Sequence, residues 1–194
     1  MSTSHAWNTA SLKDKFCKLS RQKNDDNLED YIGKEFVAWY TKERNSMFYS
    51  KPGVVVGNHP SYKDAQKDFN EYGGRAAKTR ELTEYIVDLV IYRKDAPEVW
   101  PVEVEVELNY WAIGQALSYY YAFKKIRDYI ALHPEWQGET QEVAVRLQGK
   151  EIIPTVVCYF APIDQRVLCQ EIHPPVRVFY CLEGHLTDKK YWAQ

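Results

Sequence analysis

Between positions 28 and about 43, apolar residues fall at Leu28, Ile32, Phe36, Val37 and Trp39/Tyr40, the spacing of one helix face, and predict an amphipathic helix. Asn27 stands where an N-cap is wanted, and Lys42 and Arg44 fall near the end, where cations suit the helix dipole. Glu29 and Glu35 lie on its polar flank. An apolar run over 47–56, broken by Pro52-Gly53 and closed by Gly57-Asn58-His59-Pro60, predicts a bent strand ending in a turn. Residues 61–80 are polar and read as a helix followed by a loop. Residues 84–92 (EYIVDLVIY) are apolar on both faces, the pattern of a strand buried within a sheet. After a turn over 93–98 the chain alternates strictly over 99–108, a returning strand. A long amphipathic helix follows over about 110–132, halted before Pro134, and two strands at 152–160 and 176–181 flank a short helix near 164–171. The order of helix, three strands, helix, strand, helix, strand predicts a mixed α/β layer. The polar, charge-rich residues 1–27 read as an N-terminal arm, and 28–194 as a single domain.

Composition narrows this picture. A chain of 194 residues suits one domain, and 45% hydrophobic residues with 15 Tyr and 6 Trp supply an ordered core, excluding disorder for the body of the chain. The net charge of −2 gives no global footprint for nucleic acid, so any such binding must be local. Cys17, Cys158, Cys169 and Cys181 form no C-x-x-C pair and have no histidine at zinc spacing. His5, His59, His133, His173 and His185 are scattered beside turns or in the tail and are assigned to loops. No Gly-rich phosphate loop is present, since Gly73-Gly74 lacks the rest of either common pattern. The first residues lack the apolar stretch of a signal peptide and no run is long enough to span a bilayer, so an intracellular protein with no membrane partner is expected.

The candidate chemistry lies on the central hairpin. Asp88 falls among Ile, Val and Leu in the middle of a strand, where an ionised carboxylate is costly unless it is paired or binds a metal. The returning strand reads Pro101-Val-Glu-Val-Glu-Val-Glu-Leu108, so Glu103, Glu105 and Glu107 share one face. An ordinary half-solvated strand would mix signs on that face. Here three carboxylates stand opposite a strand bearing Asp88 and Glu84, with no cation until Arg93. A divalent cation is one way to supply the missing counter-charge. Gln115 and Tyr119, four apart, align on the following helix.

The series Asp88, then Glu103-Val-Glu105 or Glu105-Val-Glu107, then Gly114-Gln115-Ala-Leu-Ser-Tyr119 resembles the D, E-x-K, Q-x-x-x-Y series of the PD-(D/E)xK nucleases, especially those with a RecB-type or Holliday-junction-resolvase-like core. The resemblance implies a three-layer α-β-α restriction-endonuclease-like core with a mixed central sheet. It also implies Mg²⁺- or Mn²⁺-dependent hydrolysis of phosphodiester bonds in DNA, or in RNA. By position it makes Asp88 and Glu103 or Glu105 metal ligands and Glu35 a candidate third, while Gln115 and Tyr119 orient the site or contact the strand being cut. Glu occupies the place of the family's Lys, at Glu105 or Glu107 according to register, and cannot supply its positive charge. Either another cation such as Lys124 or Lys125 takes over, or the domain has become a non-catalytic module binding nucleic acid or a protein. Arg75, Lys78 and Arg80 before the Asp88 strand, with Lys124 and Lys125, are candidate phosphate contacts. A homodimer through Tyr119, Tyr120 and Tyr121 is a further expectation.

Overall fold

The computed structural model describes residues 4–7, 25–44, 48–57, 84–132 and 146–185. Its elements are β1 (Ser4–Ala6), α1 (Asp25–Arg44), β2 (Phe48–Gly57), β3 (Glu84–Arg93), β4 (Glu98–Glu107), α2 (Tyr110–Leu132), β5 (Glu151–Ile152), β6 (Thr155–Ala161), α3 (Ile163–Glu171) and β7 (Arg177–Glu183). One mixed sheet runs in the order β1-β7-β6-β4-β3-β2, with β5 pairing β4 beside the start of β6. The β2–β3–β4 meander is antiparallel; β4, β6, β7 and β1 are parallel neighbours. The residues proposed from sequence for a helix and loop over 61–80, together with Arg75, Lys78, Arg80 and Cys17, lie outside the described residues.

Both faces of the sheet are covered, which explains why β6 is buried at every position. On one face α1 lays Leu28, Ile32, Phe36 and Tyr40 against Trp100, Val102, Val104 and Val106 of β4, Leu89 and Ile91 of β3, and Phe179 of β7. Gly33 faces Val104 here, and a Cβ at that position would meet it at 3.5 Å, ordinary contact distance. The other face carries α2 and α3. Tyr119, Ala122 and Phe123 of α2 pack on Val90, Tyr92 and Val99, while Ala112, Ile113 and Ala116 join Cys169 of α3 over Val156, Cys158, Val176 and Val178. The architecture is therefore α/β with helices on both sides of a mixed sheet.

Several boundaries differ from expectation. The segment read as an arm contributes β1, which adds a parallel strand to β7, and Trp7, which is buried beside Phe36 with its N–H donating to the backbone only through the main chain, Trp7 N to Tyr180 O at 2.8 Å. Helix α1 begins at Asp25, so Asn27 lies inside its first turn instead of capping it. The strand expected over 152–160 is interrupted: Ile153-Pro154 separates β5 from β6, and proline cannot donate to a ladder. Cys158 and Cys169 are buried as free thiols and Cys181 is partly buried, behaving as small core residues.

Candidate functional site

The β3–β4 hairpin is laddered from Tyr92↔Val99 to Leu89↔Val102 and then opens. Continuing the register would set Asp88 opposite Glu103. Instead the Asp88 carboxylate accepts the backbone N–H of Val104 at 2.8 Å, and the N–H of Val106 donates to Glu105 Oε1 at 3.1 Å. Two amides of β4 are thus satisfied by carboxylates where a strand would otherwise satisfy them, as buried amides require. On its other edge β4 stays paired with β6 through Glu107↔Phe160. The result is a cleft between β3 and β4 with carboxylates at its mouth.

Glu103 forms the floor of this cleft and is 5% exposed. Burial, followed by the negative charge of Asp88, pushes its carboxyl up to about 8, against the opposing effect of a hydrogen bond with the Tyr119 hydroxyl. Asp88 keeps access to solvent, yet partial burial still raises its pKa; the Val104 amide and the hydrogen bond with Glu103 hold it down. Both shifts run the same way: the pair resists full ionisation, and Glu103, the more buried member, is the one pushed further towards its protonated form. Glu103 Oε2 is buried with no hydrogen-bond partner.

Pairing across the hairpin sets Asp88 beside Glu103. Glu105 and Glu107 follow on the same face, both partly buried. Glu107 Oε1 lies 2.9 Å from Nδ1 of His185, which reaches over from the end of β7. His185 lies in the loop after β7, as the sequence assigned it; in the sheet one strand, β6, stands between β7 and β4, and no local spacing announces the contact. Gln115, partly buried, lies one turn before Tyr119 on the same side of α2.

Other candidates stand apart from the pair. Glu35 is on α1, which covers the opposite face of the sheet from Tyr119 and Glu103. Lys124 and Lys125 follow Tyr119 by five and six residues, about 140° and 120° away from it around the helix, and Lys125 is exposed. Among the described residues, the dominant influences on Asp88 and Glu103 include no cation. Of Tyr119, Tyr120 and Tyr121, the first is buried, the second partly so, and only Tyr121 is exposed.

No family model, curated protein or solved structure matches this chain. The site is consequently read from its own geometry. Among the described residues no three His, Cys, Asp or Glu side chains converge closely enough to cage a metal, and none of the helices is long and apolar enough to cross a membrane. What the cleft does offer is two adjacent carboxylates, a third at the same edge, and an orphaned buried oxygen. That set fits a hard divalent cation that keeps several waters and takes one or two carboxylates from the protein.

Proposed function

We propose that this chain is a metal-dependent nuclease that hydrolyses phosphodiester bonds, DNA being the first substrate to test and RNA the second. The observation that carries the reading is the Asp88–Glu103 pair at the split of β3 and β4, with Glu103 Oε2 buried and unpartnered. Asp88 and Glu103 would hold Mg²⁺ or Mn²⁺, with Glu105 at the rim. The cation would supply a water nucleophile at neutral pH and charge stabilisation at the scissile phosphate. The chain's own residues do the rest. Val104 N–H fixes the Asp88 carboxylate, Tyr119 fixes Glu103, and Glu105, already oriented by the Val106 amide, is placed to accept a proton.

A second reading is a nuclease-fold module that binds nucleic acid or a protein without cutting, favoured by a glutamate, Glu105, next along β4 where the resemblance calls for a lysine. A single assay separates them. Labelled single-stranded, duplex and branched DNA and RNA are incubated with Mg²⁺, Mn²⁺ or EDTA, using the wild type and Asp88→Asn. The nuclease reading expects metal-dependent cleavage that the variant loses by at least about 100-fold, the scale of losing a principal source of transition-state charge stabilisation. An intact set of substrates under every condition leaves the binding module.

A further inference from the structure

The side of α2 turned away from the sheet differs from the rest of the helix. Because α2 buries Ala112, Ile113, Ala116, Tyr119, Ala122 and Phe123, its outer arc carries Tyr110, Gly114, Tyr121 and Lys125, with Trp111 and Ser118 on the flank. Tyr110 and Trp111 are 71% and 73% exposed and Tyr121 is 50% exposed, a concentration of bare aromatic surface that marks contact sites. The aromatics are presented on fixed supports. Asn109 Oδ1 accepts the Ala112 N–H at 2.9 Å and its Nδ2 donates to the Glu107 carbonyl at 3.0 Å, which fixes the start of the helix. The ring of Tyr121 meets Tyr120 edge-on at 5.1 Å.

Gly114 lies between these aromatics. Its φ is not positive, and nothing stands within 4 Å of the place a Cβ would occupy. Neither backbone conformation nor packing calls for glycine here, and alanine is the better helix former. A glycine in that situation suits the close approach of an external group to the helix backbone. Charge narrows the choice of group. Helix α2 has no carboxylate before Asp128 but contains Lys124, Lys125 and Arg127, in a chain whose net charge is −2. Asp128 also falls on the outer arc but is paired with Arg127 at 2.8 Å, and Lys124 lies to one side, which leaves Lys125 as the cation of this arc.

We infer that the outer face of α2 seats single-stranded nucleic acid, with an unpaired base lying over Gly114 between Tyr110/Trp111 and Tyr121 and the backbone phosphates directed at Lys125. Aromatic side chains and a neighbouring cation are what a flexible strand requires, because every base offers a face to stack, whereas a duplex hides its base faces. A second copy of this chain fits less well, since it would bring two cationic helices together. Asn109 joins this face directly to β4, the strand that carries Glu103 and Glu105. The inference rests on the nuclease reading in that it names the form of nucleic acid the chain engages, on a face of α2 separate from the Asp88–Glu103 pair.

The test is fluorescence anisotropy in EDTA, where no metal-dependent cleavage occurs, with a labelled oligothymidylate and a duplex of equal length. The full chain is compared with Trp111→Ala, Tyr121→Ala and Gly114→Leu, and melting by circular dichroism shows that each variant is folded. The expected result is preference for the single strand and a loss of about tenfold or more in affinity for each variant, the scale of one lost base–aromatic stack. Equal or tighter duplex binding, or variants that bind as the wild type does, would overturn it. So would light scattering that shows a wild-type dimer split by Gly114→Leu, which would give the face to a second copy. Strand binding with no cleavage in Mg²⁺ or Mn²⁺ would retain this inference while removing the catalytic reading.

Discussion

Glu98 and Glu103 lie on one strand, on opposite faces, and respond to pH in opposite senses. Burial acts to raise Glu98, but hydrogen bonds from Trp100 and Arg177 and the charges of Arg177 and Arg93 outweigh it and hold the carboxyl below its ordinary value. Its contribution to stability is present above the ordinary carboxylate range and is lost as pH falls through the depressed value. Glu103 is the reverse. With a folded value of about 8 against an ordinary 4.5, the folded state keeps a proton that the unfolded chain has released, so stability falls as pH rises from about 4.5 and levels off above about 8. Glu103→Gln, a neutral shape mimic of the protonated acid, is expected to raise stability at pH 8 by an amount on the order of a few kcal/mol and to flatten that part of the profile. Urea denaturation at pH 5 and pH 8 checks this; a variant that gains nothing at pH 8 contradicts the protonated Glu103. Asp88 separates structure from chemistry. Asp88→Ala leaves the Val104 amide without its acceptor and is expected to cost about 1–3 kcal/mol, whereas Asp88→Asn retains an acceptor oxygen and is expected to recover much of that stability. Both variants are expected to lose metal-dependent cleavage, so equal destabilisation by Ala and Asn would show that the amide contact is not what holds Asp88.

At the scale of elements, the sequence pattern located what is large and periodic. Helix α1 was visible because Leu28, Ile32, Phe36 and Tyr40 recur every fourth residue, and β3 and β4 because one is apolar on both faces and the other alternates. Strand β1 was not visible: Ser4-His5-Ala6 has no apolar pattern, and what makes it a strand is the open edge of β7. Helix α1 docks with Gly33 over Val104. Gly33→Ala places a methyl at ordinary contact distance and improves helix propensity, so stability is expected to be unchanged or higher by up to about 1 kcal/mol. Phe36→Ala, at the centre of a cluster with Trp7, Trp39, Tyr40 and Phe179, is expected to cost about 3–5 kcal/mol. Equilibrium denaturation of both variants tests the packing of this layer, and a Phe36→Ala cost below about 1 kcal/mol would contradict it.

Across the whole molecule, the meander and the parallel strands meet at β4, and the cleft opens where β4 loses β3 on one edge while keeping β6 on the other. The candidate ligands were legible because Asp88 stands unaccompanied in an apolar strand and Glu103 alternates with valines. Which glutamate meets Asp88 was not legible, because the pairing depends on the turn over 94–97 and on where the ladder stops. The contact of His185 with Glu107 joins residues far apart in the chain and has no local signature. If, as proposed, the Asp88–Glu103 pair holds a cation, that cation would compete with protons for Glu103, so its affinity would rise with pH and its binding would stabilise the fold. Mn²⁺ is therefore expected to raise the melting temperature more at pH 8 than at pH 6. The most direct measurement is calorimetric titration of Mn²⁺ into the wild type and into Asp88→Asn at pH 8. Binding to the wild type, lost or greatly weakened in the variant, is the predicted result. No binding to the wild type, or unchanged binding to the folded variant, would contradict the assignment of the Asp88–Glu103 pair as the metal site.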